Sequence, residues 1–435
     1  MEVCISPGPL SGTVRAIPSK SQAHRALICA ALADAETVIE CENESQDIKA
    51  TAACLVSLGA SVERVPGGYR VRPIDKNKCA DEATLSCGES GSTFRFLLPV
   101  AAALGRRAAF MPEGRLPERP LSPLYEELVN HGCALSPMGS VPFVISGWLT
   151  PGNYSLDAGV SSQFASGLLF ALPMLGGESS LRLTGRAESF PYIELTVNAL
   201  EAFGINIKFE DMTFTIPCGQ TYRSPGSLNV EGDWSNAAFW LAAGAIGGWG
   251  GVACSGLDMD SKQGDRAFAD ILKRFGANVT ASGGTIKVSG GELTGIEIDA
   301  RDTPDLVPAA AVVAAAANGE TTIVNAGRLR GKESDRLASV TAMLGALGAD
   351  IRETEDGLVI NGGVRRDGGT KLAGGRVSSC GDHRIAMAAA VASVICDGPV
   401  VIHGAEAVGK SYPDFFADLR SLGGAAKEIK NCSAE

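Results

Sequence analysis

At 435 residues the chain exceeds what one ordinary hydrophobic core fills and suits two domains of roughly 200 residues each. Hydrophobic residues make up 45% of it and charged residues 20%, the composition of a globular protein, with disorder expected only in the tail "KEIKNCSAE". A net charge of −11 without any lysine or arginine run excludes a general nucleic-acid surface, so any cationic site must be local.

The opening "MEVCISPGPL" has neither a positive nor an apolar region of the kind a secretory signal needs. The longest apolar stretch, "FWLAAGAIGGWGGVAC" from Phe239, is broken by glycines and is too short to span a membrane. Twelve cysteines are scattered singly between Cys4 and Cys432, with no CxxC pair and no histidine at metal-ligand spacing. They read as reduced, mostly buried thiols of a cytoplasmic protein, Cys29, Cys133 and Cys396 among them as packing residues. His24 and His403 read as structural.

From Leu58 onward one phrase recurs: "LGASVERVPGGYRVRP", "HGCALSPMGSVPFVISG", "FGINIKFEDMTFTIPCG", "FGANVTASGGTIKVSGG", "LGADIRETEDGLVINGG" and a worn "LGGAAKEIK". Their first glycines, Gly59, Gly132, Gly204, Gly276, Gly348 and Gly423, lie 73, 72, 72, 72 and 75 residues apart. That period is longer than a solenoid repeat, so each unit is a small fold in itself, and six copies make two domains of three. Before each glycine, apolar residues at three- and four-residue steps predict a helix that the glycine stops. After it, alternation around a turn predicts a strand hairpin.

A second element accompanies the first: a helix rich in small apolar residues, then a strand. Its copies begin "KSQAHRAL", "ESGSTFRF", "VSSQFASG", "DWSNAAFW", "DTPDLVPA" and "GDHRIAMA". Apolar on nearly every side, these helices should be buried inside sheets. The repeat is therefore β-α-β-α-β-β, and three copies surround parallel buried helices, an α/β fold resembling an inside-out barrel. Helix starts present free N–H groups and partial positive charge, hence natural anion sites. Asp233 and Ser92 read there as N-caps. Lys20, Arg25, Arg95 and Arg384 do not, because a cation at a helix start is disfavoured unless an anion compensates it.

"PSKSQAHR", "ESGSTFR", "GRLPERP", "VSSQF", "SFPYI", "TPD", "KESDR", "GDHR" and "GKSYPDFF" follow one another over essentially the whole chain. Together they resemble the enolpyruvyl transferases, and among them the 5-enolpyruvylshikimate-3-phosphate synthase family of the shikimate pathway. The resemblance implies two similar domains of three βαβαββ units with the active site in the cleft between them. The chain would cross twice, placing residues 1–18 with 228–435 in one domain and 19–227 in the other. It implies transfer of the enolpyruvyl group of phosphoenolpyruvate to the 5-hydroxyl of shikimate 3-phosphate by addition and elimination, releasing phosphate. No cofactor, metal, nucleic acid or membrane takes part, and the protein is expected to be a cytoplasmic monomer.

Carried over position by position, the resemblance implies that Ser161, Ser162 and Ser189 hold the shikimate phosphate with Lys332 adding charge, and that Ser21, Arg25 and Asp305 hold ring oxygens. Tyr192 lines that pocket, and Lys20 and Gln163 border both substrates. Lys20, Arg119, Gln163, Arg336, Arg384 and Lys410, beside the loop at Gly91, hold phosphoenolpyruvate. Asp305 takes the hydroxyl proton, and Glu333 or Lys20 serves the methylene carbon. The charges suit two polyanionic substrates, and addition followed by elimination needs one acid and one base that exchange roles.

Two residues depart from the family pattern, Glu89 and Arg328, each standing where asparagine is common; Glu89 puts in question how the glycine loop receives an anion. A related transferase acting on UDP-N-acetylglucosamine carries a reactive cysteine in a mobile loop, whereas "PEGRLPERP" has none. A non-enzymatic repeat scaffold would have little reason to place different charges on equivalent helix starts. Running the stripe of Leu337, Val340, Leu344 and Leu347 backward along one helix puts Glu333 at its centre, Arg336 on its flank and Asp335 opposite, as a helix-start carboxylate.

Overall fold

The computed structural model describes residues 1–75, 82–157, 159–186, 188–248, 250–363 and 372–429. They form two compact units, Met1–Ile17 with Glu231–Glu435, and Pro18–Val230. Cys79, Cys432 and the end of the tail, 430–435, lie outside the described residues.

Twelve α-helices occur among the described residues: α1 (Lys20–Leu32), α2 (Gln46–Ser57), α3 (Gly91–Ala103), α4 (Leu124–Asn130), α5 (Ser162–Ala171), α6 (Phe190–Ala202), α7 (Trp234–Ile246), α8 (Phe268–Phe275), α9 (Val307–Ala316), α10 (Arg336–Ala346), α11 (His383–Ala392) and α12 (Phe415–Ser421). The odd-numbered helices are buried along almost their whole length. Alpha-9, "VPAAAVVAAA", has no polar face to offer water, and its proline sits in the first turn, where no N–H is missed. The even-numbered helices bury one face. Alpha-8 buries Phe268, Ile271, Leu272 and Phe275 and leaves Asp270, Lys273 and Arg274 outside.

All six repeat glycines adopt positive φ, from +77° at Gly204 to +103° at Gly59, the left-handed geometry that ends a helix and that a side chain would strain. Each repeat contributes to an open four-stranded sheet. In the second repeat Glu82–Gly88 and Arg107–Pro112 run parallel, then Phe143–Gly147 and Cys133–Leu135 follow antiparallel. Two sheets take their leading strand from afar: Ser227–Asn229 pairs with Thr37–Glu40, and Gly12–Arg15 pairs with Val252–Ser255, both parallel. The N-terminal strand Glu2–Ser6 lies between Val400–His403 and Ala425–Ile429, antiparallel to both. Each division between units thus falls between a leading strand and the buried helix that follows it.

In one unit α7, α9 and α11 pack against one another; in the other α3 packs along α5, and α1 packs on α2 and α6. The α3–α5 fit has a local cause. Pro99 inside α3 has no N–H for the carbonyl of Arg95, and Gly167 of α5 lies against that carbonyl, where a Cβ would come within 2.4 Å. In the other unit Trp240 stacks on Phe415, their ring centroids 4.6 Å apart. Full burial of a side chain such as Phe415 contributes about 1.5–3 kcal/mol.

Candidate active site

In the Pro18–Val230 unit three buried helices begin with serine caps. The Oγ of Ser19 accepts from Gln22 N, that of Ser90 from Thr93 N, and that of Ser161 from Gln163 N. Ser92 is therefore not a cap; its Oγ accepts 3.0 Å from Gln163 Nε2, while Arg95 Nη1 donates to Gln163 Oε1 at 2.8 Å. The side-chain amide of Gln163 is fixed from both ends. Ser162 follows the cap on α5, and Ser189, with φ of +52°, stands before α6.

Lys20, the first residue of α1, is held 2.8 Å from Asp47 of α2. Among the described residues, no carboxylate pairs with the buried Arg25. Its guanidinium donates to Thr196 Oγ1 at 2.9 Å, to the carbonyl oxygens of Ser21 and Tyr192 at 2.6 and 2.7 Å, and to Ser166 Oγ at 3.5 Å. Burial brings its pKa down to about 10, the signature of a desolvated cation surrounded by neutral oxygens. Arg119 lies against Gly91: a Cβ there would stand 3.0 Å from Nη1, so only glycine leaves the guanidinium its place. Glu89 leans on Gly114 in the same loop region.

The other unit gathers its charges around Arg336, which is 1% exposed. Its Nε donates to Asp382 Oδ2, its Nη1 to Asp305 Oδ1 and its Nη2 to Glu333 Oε2, each at 2.7 Å, with a further contact to Asp382 Oδ1 at 3.3 Å. Asp382 is fully buried, caps α11 through Arg384 N, and accepts from Ser334 Oγ at 3.1 Å. Asp305 and Glu333 remain partly exposed, at 18% and 19% of their side chains. A buried Arg336–Asp382 pair thus underlies two reachable carboxylates.

Asp305 does not cap α9. It lies inside the preceding 3-10 turn, Pro304–Leu306, so its carboxylate faces Arg336, Arg384 Nη2 at 3.3 Å and Lys332 Nζ at 3.6 Å. Burial pushes the Lys332 ammonium down to about 8, with Asp305 opposing that shift and Arg336 and Arg328 adding to it. For Arg336 the carboxylates outweigh burial and hold its pKa above the ordinary arginine range. Arg384 also reaches Ser235 Oγ at 2.8 Å, and Lys410 donates to Gly381 O at 2.7 Å, beside the same helix start. Arg328, whose charge acts on Lys332, also reaches Arg301 O at 3.5 Å.

The backward helical projection from Leu337 fails. Alpha-10 begins at Arg336 with Asp335 as its cap, and Lys332 to Ser334 precede it after a 3-10 turn, Gly327–Gly331. Glu333 reaches its position by pairing with Arg336, not by riding a helix face. Asp335, as expected, is a helix-start carboxylate, accepting from Ala338 N at 3.1 Å. Two partners escape sequence reading: Asp47, an ordinary first-turn acid in α2, and Asp382, whose pairing with Arg336 spans 46 residues.

The candidates therefore form two constellations, one per unit. Lys20, Ser21, Arg25, Gly91, Arg119, Ser161, Ser162, Gln163, Ser189 and Tyr192 belong to one, and Asp305, Lys332, Glu333, Arg336, Arg384 and Lys410 to the other. Among the described residues no group of His, Cys, Asp and Glu is arranged to hold a metal ion, and no helix is long and apolar enough to cross a membrane. Ten described cysteines are unpaired, seven of them buried.

A sequence profile described as EPSP synthase (3-phosphoshikimate 1-carboxyvinyltransferase) matches residues 5–419. The chain belongs to the EPSP synthase family. A 3-phosphoshikimate 1-carboxyvinyltransferase of Clostridium kluyveri is 43% identical over 428 residues, covering 98% of each chain, and one of Clostridioides difficile is 40% identical over 435 residues with the same coverage. Among solved structures, EPSP synthase from Acinetobacter baumannii superimposes with a TM-score of 0.81 at 28% identity, covering 98% of this chain and all of its own. The enolpyruvyl transferase NikO from Streptomyces tendae shares the fold, at 0.79 and 18% identity over 98% of each chain. Both constellations lie within the span matched by the EPSP synthase profile.

Proposed function

We propose that this EPSP synthase family member transfers the enolpyruvyl group of phosphoenolpyruvate to the 5-hydroxyl of shikimate 3-phosphate, and that the two constellations serve this one reaction. The observation that carries the reading is Arg336, which binds Asp305 and Glu333 through different η nitrogens and so holds a base and an acid at fixed separation. Asp305 takes the proton of the attacking hydroxyl as its oxygen bonds to C2 of phosphoenolpyruvate. Glu333 or Lys20 delivers a proton to C3, completing a tetrahedral intermediate. Loss of that proton from C3 and departure of phosphate from C2 give the enol ether. Acid–base groups so placed contribute about 10²- to 10⁴-fold each.

The remaining roles follow charge and exposure. Ser161, Ser162 and Ser189 stand at helix starts suited to the shikimate phosphate, with Lys332 adding charge, while Ser21, Arg25, Gln163 and Tyr192 hold the rest of shikimate 3-phosphate. Arg25, buried among neutral oxygens, gains an anionic partner when that substrate binds. Lys20, Arg119, Gln163, Arg384 and Lys410, beside Gly91, receive phosphoenolpyruvate. Arg336 contributes to that substrate only by sharing a guanidinium already engaged by carboxylates. Single-turnover measurements on Asp305→Ala and Glu333→Gln test the assignment. The first should abolish intermediate formation and the second should slow both halves; undiminished turnover by Asp305→Ala would remove it from the base role.

A further inference from the structure

A buried chain of hydrogen bonds lies behind the candidate phosphoenolpyruvate residues of the Pro18–Val230 unit and takes no part in the contacts assigned above. On α1, His24 Nδ1 is 2.7 Å from Thr51 Oγ1 of α2. Thr51 Oγ1 is 2.6 Å from Thr93 Oγ1 of α3. The Thr93 hydroxyl donates at 2.7 Å to the Oγ of Ser90, the cap of α3. None of the four residues is more than 2% exposed.

The direction of the chain follows from proton counting, because each hydroxyl has one proton to give. Thr93 gives its proton to Ser90, so Thr51 must donate to Thr93, and His24 must donate to Thr51 from Nδ1–H. Nε2 is then bare, and it is the nitrogen of that ring without a hydrogen-bond partner among the described residues. The opposite direction would place a proton on Nε2 and leave a buried donor unpaired, the costlier fault. Thr93 Oγ1 also approaches Asp47 O, at 3.4 Å.

The ends of the chain adjoin the candidate site. Ser90 precedes Gly91, against which Arg119 is seated. Asp47, one helical turn before Thr51, holds Lys20. We propose that His24, Thr51 and Thr93 are positioning residues for phosphoenolpyruvate: a one-way hydrogen-bond chain that fixes the start of α3 and the Asp47–Lys20 pair relative to α1. This rests on the reading of Lys20, Gly91 and Arg119 given under the proposed function. Burial above all, then the Lys20 and Arg25 charges, keeps the His24 pKa well below 6.5, so the ring retains the single proton that the chain requires.

Two experiments test it on the full chain. Long-range ¹H–¹⁵N correlation spectra, with His24→Gln to assign the signal among the four histidines, should show protonated Nδ1 and bare Nε2 at neutral pH. A proton on Nε2 would overturn the direction, and this readout does not depend on activity. Steady-state kinetics of Thr93→Val, which keeps the side-chain shape, should show the phosphoenolpyruvate KM raised about tenfold. The shikimate 3-phosphate KM should change less than about twofold, and Thr93→Ser should restore the parent value. Lower stability with an unchanged phosphoenolpyruvate KM, or equal increases for both substrates, would overturn the positioning role. If Thr93→Val does not fold, Thr51→Val carries the same expectation. A parent protein without transferase activity would remove the proposed function and this role together, while the tautomer would still report on the chain itself.

Discussion

Arg336→Met is the perturbation that loads the structure most heavily. It deletes four hydrogen bonds to three carboxylates and leaves Asp382 buried with only Ser334, the start of α11 and its neighbours to neutralise it. Removing one partner of a buried ion pair costs about 3–5 kcal/mol. Urea unfolding followed by tryptophan fluorescence suits the measurement, since Trp234 and Trp240 are fully buried in the same unit. At pH 7.5 the variant should lose that amount, and Arg336→Lys, which keeps the charge but not the fork, should lose less. Phosphate release should fall at least about 100-fold, since both reacting carboxylates lose their holder. A Met variant within about 0.5 kcal/mol of the parent would refute the idea that Arg336 organises this cluster.

Lys332, with a pKa of about 8, loses its charge above that pH. The KM for shikimate 3-phosphate should therefore rise above pH 8, by up to about tenfold per unit, and Lys332→Met should remove the dependence. Because the folded-state pKa of His24 lies below the ordinary 6.5, the unfolded chain binds the extra proton. Its contribution is complete above about pH 6.5 and is lost as pH falls, at about 1.4 kcal/mol per unit, a slope that urea midpoints of His24→Gln should lack. Gly91→Ala displaces Arg119 by a few tenths of an ångström and should raise the phosphoenolpyruvate KM with little change in stability. Gly167→Ala instead meets the Arg95 carbonyl, a rigid backbone atom, and should cost about 1–3 kcal/mol in thermal or urea unfolding.

Much of the fold is legible in the sequence because each repeat uses strong local signals. The glycine after each outer helix must take positive φ, and the buried helices carry no polar face to misread. The strand exchange is less visible, because which sheet receives Gly12–Arg15 or Ser227–Asn229 depends on long-range pairing that local periodicity does not encode. At the candidate site, residue types are legible and partners are not. "KESDR" shows charges before an apolar stripe, yet the helix starts four residues later than the projection assumes, because Asp335 is a better cap than Gly331. The Asp305–Arg336–Asp382 arrangement brings together three repeat-derived segments, which no spacing within one segment reveals.

The central claim is tested most directly by measuring inorganic phosphate released from phosphoenolpyruvate by the purified protein, with and without shikimate 3-phosphate. The account predicts release only when both are present, matched mole for mole by an enolpyruvyl ether on the 5-oxygen. Phosphate release that is absent, or that proceeds equally well without shikimate 3-phosphate, would contradict it.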